Sequence, residues 1–272
     1  MKDSKIIKLL YETAVGRVLL KGLVHPKLSR AAAVFLSSKA SSRLVPAFVK
    51  KNHIDLSYYE IPQGGYASFN DFFTRKMKEE YLIRNGGEFV CPSDGLLTVQ
   101  PIDENLIFNI KHTKYSVKEL LRDEVLAQEF LGGTALVFRL TPAHYHRYVF
   151  CASGRVAICR RIRGVLHSVQ PVCHEHTKVF VQNSREYTVI ENDRLGKVAQ
   201  MEVGAMLVGK ISNYRLKRNQ SVTRGQEKGF FEYGGSSIVV LTKKAVELSG
   251  DIAGRAKAGD EIPVRMGERL EE

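Results

Sequence analysis

The amino-acid sequence predicts an α+β fold, with N-terminal helices followed by a β-rich, sandwich- or barrel-like domain. Three observations carry that expectation. Apolar residues in positions 1–85 recur at helical spacing. Beyond residue 88 the apolar runs shorten, become β-branched, and are punctuated by Gly, Pro, Asn and Asp. A chain of 272 residues, 44% hydrophobic and 26% charged, can also bury a sizeable core.

Residues 4–24 read as one amphipathic helix. Ile7, Leu10, Tyr11, Ala14, Val15, Val18 and Leu19 form its apolar stripe, and Lys5, Lys8 and Glu12 lie opposite. His25-Pro26 ends it. Ser29 is placed to cap a second helix, from Arg30 toward Ser41. A short apolar stretch, Leu44 to Val49, precedes Lys50-Lys51, and Ser68 caps a further helix over 68–79. Strand-like runs follow at 96–99, 135–140, 147–151, 155–161, 178–181, 187–190, 199–203 and 237–241. A single helix over 116–130 interrupts them. The chain thus divides into a basic helical region, 1–85, and a β-rich domain, 86–272.

The net charge of +12 implies an acidic partner, nucleic acid or an anionic membrane. Residues 1–53 hold 11 Lys/Arg against 2 Asp/Glu, a net of +9, which leaves +3 on the other 219 residues. No nucleic-acid motif or aromatic platform accompanies this charge, so nucleic acid is not the expected partner. A Lys-rich amphipathic helix suits a membrane surface. Packing of the same stripe on the body is the alternative use. No apolar run reaches the ~18 residues needed to span a bilayer, and residues 1–8 lack the apolar core of a secretory signal. Cys91, Cys151, Cys159 and Cys173 are few for this length and read as reduced thiols in a cytosolic context.

Four stretches hold residues suited to chemistry. Gly234-Gly235-Ser236-Ser237 leads into a β-run. It reads either as a hairpin turn or as a serine beside glycines that admit close approach to a carbonyl. Pro92-Ser93-Asp94-Gly95 reads locally as a turn. In Thr141-Pro142-Ala143-His144-Tyr145-His146-Arg147, two histidines could serve as acid or base. Leu166-His167-Ser168-Val169-Gln170-Pro171 precedes Cys173-His174-Glu175-His176, whose spacing fits no usual zinc frame, so no metal is expected.

In their order these stretches resemble the phosphatidylserine decarboxylase proenzyme family. Phe72-Phe73-Thr74-Arg75 is similar to its FFxR segment, Pro92–Gly95 to its aspartate turn, and Tyr145-His146-Arg147 to its YHR motif. Leu166–Pro171, Val203–Gly209, Gly234–Ser237 and Val264-Arg265-Met266-Gly267-Glu268 also fit.

The resemblance implies that Ser236 Oγ attacks the carbonyl of Gly235 and turns the peptide bond into an ester. Elimination then splits the chain and leaves a dehydroalanine, which becomes a covalent pyruvoyl cofactor with loss of ammonia. The products would be a β chain, 1–235, and an α chain, 236–272. It further implies decarboxylation of phosphatidylserine to phosphatidylethanolamine, by a peripheral protein on the cytoplasmic face of an anionic membrane. Catalytic roles carry over to Asp94, His146 and Ser236, and the domain 86–272 becomes the catalytic one. A homodimer is left open.

The chain departs from the family at one position. The pattern YHR-x-H places a second histidine, the usual base for self-cleavage, where this sequence has Val149. His144 and His167 are candidate stand-ins. Two alternatives therefore stand beside the main reading. One is a homologue that binds membranes without maturing, and the other is a pyruvoyl decarboxylase for another amino substrate.

Overall fold

The computed structural model describes residues 5–84, 87–110, 113–206, 210–233, 236–255 and 261–271. The front is helical, with α1 (Lys5–Glu12), α2 (Ala14–Leu23), α3 (Pro26–Leu36), α4 (Val45–Asn52) and α5 (Phe69–Phe73). The body begins with β1 (Gly95–Pro101), β2 (Ile107–Ile110), β3 (Thr113–Ser116), α6 (Val117–Leu121) and α7 (Glu124–Gln128). It continues through β4 (Thr134–Leu140), β5 (Arg147–Val149), β6 (Gly154–Ile162), α8 (Pro171–His176), α9 (Val179–Gln182), β7 (Arg185–Asn192) and β8 (Gly196–Gly204). It closes with β9 (Ile211–Asn213), β10 (Ser221–Val222), β11 (Glu227–Phe231), β12 (Ser236–Thr242), α10 (Gly250–Arg255) and β13 (Ile262–Val264).

Eight strands form one antiparallel sheet in the order β10-β6-β7-β8-β12-β4-β1-β13. A second sheet, β5-β11-β9, and the hairpin β2-β3 complete the β structure of the described residues. In β4 and β12 all seven residues are buried. That fits their nearly continuous apolar sequences, because a strand covered on both faces loses the polar alternation of a half-exposed one. The α+β expectation and most of the strand runs agree with this architecture.

Several boundaries differ from the sequence reading. The expected helix over 4–24 is two helices. Thr13 is extended and its side chain accepts the Gly16 N–H at 2.9 Å, capping α2. A Cβ at Gly16 would lie 2.2 Å from Leu9 O, so only glycine lets α2 start this close to α1. His25 and Pro26 begin α3 rather than end a helix. The His25 ring accepts the Lys27 N–H, and Pro26 takes the first turn, where its missing N–H is not needed. Ser29 therefore lies inside that helix.

The expected helix over 116–130 breaks at Arg122, which is left-handed (φ 48°), and Asp123 caps the next turn through Leu126 N–H. The helix from Ser68 stops at Phe73. The expected strand 178–181 is instead the start of α9, with Lys178 at its N-cap and 179–181 helical; a short apolar run has no periodicity that separates the two.

Candidate active site

The sheet register gathers the separated motifs at one end. Ser236, the first residue of β12, pairs with Leu140 on β4 and Gly204 on β8. Leu96 pairs with Arg139, so Gly95 stands beside Leu140, and Gly95 pairs in turn with Val264 on β13. A Cβ at Gly95 would lie 3.1 Å from Arg139 O, which is why glycine follows the aspartate here. One transverse row thus holds the aspartate turn, the end of the strand leading into His144–Arg147, the serine motif, Gly204 and the C-terminal Val264 motif.

Asp94 is half-buried and its Oδ1 accepts the Met266 N–H at 2.9 Å. The same turn is tied to the C-terminal motif by Cys91 N–H to Glu268 O and Gly267 N–H to Cys91 O. Val149, where the family has its second histidine, donates its N–H to Pro92 O and packs with Tyr145 and Met266. Position 149 therefore borders the aspartate, but valine has no proton to give or take.

The two histidines of the loop are held differently. His144 is half-buried, and its Nδ1 accepts the Thr141 N–H at 3.0 Å. Its neutral ring therefore carries its proton on Nε2. Burial pushes its pKa below the usual histidine value, Asp94 pulls it back up, and Arg139 adds to the lowering. Asp94 and His144 are thus within electrostatic reach of each other.

His146 is fully buried, and its Nδ1 lies 2.9 Å from His144 O. A carbonyl only accepts, so Nδ1 carries the proton and Nε2 of the neutral ring carries the lone pair. The His146 ring lies 4.1 Å from the Phe73 ring, and Phe73 lies 5.1 Å from Tyr233, three residues before Ser236. The His146 carbonyl accepts the Phe231 N–H at 2.9 Å. His146 is thereby fixed along the segment leading to Ser236.

The Ser236 hydroxyl is buried and meets no hydrogen-bond partner among the described residues. A buried orphan hydroxyl costs roughly 1–3 kcal/mol and calls for an explanation. Gly234 and Gly235, the rest of the cleavage motif, lie outside the described residues, as do Leu207–Gly209 of the Val203 motif. The His167 side chain turns toward α1. Its Nδ1 meets Tyr11 OH at 2.9 Å, its backbone is clamped by the Asn183 amide, and burial lowers its pKa. In the Cys173–His176 stretch, His174 Nδ1 meets Tyr115 OH at 2.7 Å.

Some residues escaped the sequence reading. Asn183 also donates to Gly204 O at 2.8 Å and so ties the His167 loop to the row containing Ser236. Nothing in the sequence marks it. Lys228 and Glu202 form a fully buried ion pair. Glu202 also accepts from Asn213 Nδ2 at 3.0 Å and Gln200 Nε2 at 3.3 Å. Burial raises the Glu202 pKa, and Lys228 and Asn213 oppose that rise. Glu202 pairs with Ile238, so this network lies two residues inward from Ser236 on the same face. A lysine before Gly229-Phe230-Phe231 was the available signal.

A buried serine heads an enclosed strand, and an aspartate and two oriented imidazoles lie at the same end, which are groups of the kind that acid–base and nucleophilic chemistry needs. The comparisons supply the family. The phosphatidylserine decarboxylase family model matches residues 69–271. Relatives include phosphatidylserine decarboxylase proenzyme 2 of Clostridium acetobutylicum, 42% identical over 98% of this chain and 91% of the relative. The proenzymes of Ruminiclostridium cellulolyticum and Fusobacterium nucleatum are 38% and 35% identical, over 98% and 97% of this chain and 91% and 90% of theirs. The chain belongs to the phosphatidylserine decarboxylase family.

Proposed function

We propose that the chain is a pyruvoyl-dependent phosphatidylserine decarboxylase that matures by cleavage between Gly235 and Ser236. The observation that carries this reading is the buried Ser236 hydroxyl, without a hydrogen-bond partner among the described residues, in the row that also holds the end of the Asp94 turn and the start of the histidine loop. An enclosed serine at the start of a strand fits a cofactor made from that residue. The pyruvoyl group supplies a carbonyl that takes up the substrate amine and the electrons released as carbon dioxide leaves.

The chain's own residues divide the proton work. Serine is a poor nucleophile until a base takes its proton. With residue 149 a valine, His146 is that base, because its lone pair lies on Nε2. The Nδ1 of His144 is occupied by Thr141, so its Nε2–H is a donor. It serves to hold and orient the Asp94 carboxylate. After maturation His146 would stay packed on Phe73 and bonded through its carbonyl to Phe231, five residues before residue 236, and would serve proton transfer during decarboxylation.

The front supports membrane contact. Ile6, Leu9, Val15, Val18, Leu19, Val34 and Phe35 are exposed, beside exposed Lys5, Lys8, Arg17, Lys21 and Lys27. Apolar side chains rimmed by cations suit an anionic interface, at roughly 1 kcal/mol per basic residue. On this reading residues 1–85 are the membrane-associating region, through the exposed helices at their start, 86–272 is the catalytic domain, and the protein works at the cytoplasmic face. No helix among the described residues is long and apolar enough to cross a membrane.

The test is intact mass under denaturing conditions, together with carbon dioxide release from phosphatidylserine vesicles. Chains 1–235 and 236–272, the latter with a blocked N-terminus, plus release, are expected. A single uncut 30.6 kDa chain with no release would favour the non-maturing homologue that Val149 suggests. Cleavage without release from phosphatidylserine would point to another amine.

A further inference from the structure

Arg75 closes the Phe72–Arg75 segment, and it is 2% exposed. Its Nη1 donates to Phe72 O at 3.4 Å, while Nε and Nη2 meet no acceptor among the described residues. The guanidinium lies 4.2 Å from the Tyr59 ring centre and 4.8 Å from that of Phe72. Aromatic faces attract the charge but satisfy neither in-plane N–H. The same chain shows what that edge of an arginine does when matched. Arg139 uses Nε and Nη2 to grip both oxygens of Glu261, at 2.7 and 2.8 Å. Arg75 presents the same two-pronged edge, buried, with no acceptor on it among the described residues.

We propose that the Nε–Nη2 edge of Arg75 receives the phosphodiester of the lipid headgroup, a role that rests on the phosphatidylserine reading above. Its surroundings belong to the reaction centre. Phe73, two residues earlier, packs on His146, and Thr74 O accepts from Arg147 Nε at 2.8 Å. Lys76 and Met77, the next two residues, line a cleft of about 720 Å³ together with Tyr145 and Val149. Tyr59 covers Arg75 and stacks at 5.8 Å on Tyr145, which lines that cleft, so the two tyrosine rings stand between the guanidinium and the cleft. Displacing Tyr59 exchanges a ring contact for two charge-assisted hydrogen bonds.

The headgroup also carries a carboxylate, but that group leaves as carbon dioxide. A cation gripping it would stabilise the ground state more than the transition state and slow the reaction. The phosphodiester keeps its charge throughout, so its binding is uniform and acts on KM.

The test uses the matured protein and soluble dihexanoyl phosphatidylserine. Arg75→Gln is expected to raise KM about 30-fold, the loss of a bidentate charged contact, with kcat nearly unchanged. Arg75→Lys keeps the charge without the two-pronged edge and should fall between wild type and Arg75→Gln. Glycerophosphoethanolamine, which has the phosphodiester without the carboxylate, should compete at least ~10-fold less well in Arg75→Gln. N-acetylserine, which has the carboxylate alone, should compete equally in both.

Unchanged KM, or a selective loss of N-acetylserine binding, overturns the proposal. Calorimetric titration of glycerophosphoethanolamine into uncut Ser236→Ala protein, with and without Arg75→Gln, reads the site without maturation or activity. Binding that disappears with Arg75 supports the proposal, and equal or absent binding overturns it. Wild-type protein that releases no carbon dioxide would refute the phosphatidylserine reading, and the titration would still decide the role of Arg75.

Discussion

Strand β12 and helix α2 are both rich in apolar residues, yet they dispose of them in opposite ways. Every residue of β12 is buried between β8 and β4. In α2 only Gly16 and Leu20 are buried, while Val15, Val18 and Leu19 are 72%, 69% and 59% exposed. Composition does not separate the two. What separates them is whether the rest of the chain supplies a neighbour. The strand is sealed on both sides by the protein itself and carries Ser236 at its head. The helix uses a narrow stripe to seat itself and leaves a wider apolar face exposed.

Substitutions on each side would break or sharpen this contrast. The largest effect belongs to the strand. Ser236→Ala should abolish cleavage and activity, leaving one chain of 30.6 kDa by intact mass. His146→Ala should slow cleavage by ~10²–10⁴, the usual contribution of a general base. His144→Ala should slow it less, because His144 acts through Asp94. Time courses of cleavage after denaturation and refolding would rank the two, and equal rates would refute the division of labour between them.

Deeper in the core, Lys228→Met strands a buried carboxylate and should cost about 3–5 kcal/mol in denaturant unfolding. At the front the contrast is sharpest between neighbours. Leu19→Glu should leave stability within ~0.5 kcal/mol while weakening sedimentation with anionic vesicles. Leu20→Glu should destabilise the fold. If Leu19→Glu vesicles bind as before, the exposed face is not the membrane face.

The smallest effect is on pH dependence. His144 and His167 have pKa values lowered by burial, so the unfolded chain binds protons more readily than the folded one. Their contribution to stability is complete above the unfolded value of about 6.5 and is lost as pH falls below it. The melting temperature should therefore decline from pH 7 toward pH 5, less steeply in His167→Asn protein.

The strands of the body were legible because β-branched runs between Gly, Pro, Asn and Asp have few other solutions. Ser236, Asp94 and His146 stand in motifs that the sequence singles out, although nothing in a linear sequence says that Gly204, Leu140 and Gly95 share one row with Ser236. The helical front was less legible. One helical stripe cannot reveal that Thr13 caps a new helix, because Thr13 also fits the polar side of an unbroken one. The break turns Val15, Val18 and Leu19 away from the buried Leu10 and Tyr11, and one expected stripe becomes a buried side and an exposed side. His144 and His146 show a finer limit. They are two residues apart in sequence, but one accepts a backbone N–H and the other faces a carbonyl, which gives their rings opposite tautomers.

The position of β12 in the middle of the sheet has a consequence for the life of the protein. The 236–272 segment contributes β12 between β8 and β4, and β13 against β1, so it is interleaved with strands of residues 1–235. On the proposed function this segment carries the cofactor at its first residue. Such a protein depends on no vitamin and competes with no other enzyme for a shared pool. It also has no reloading step. A molecule whose carbonyl is reduced or trapped is spent, and the cell restores the activity only by translating a new chain.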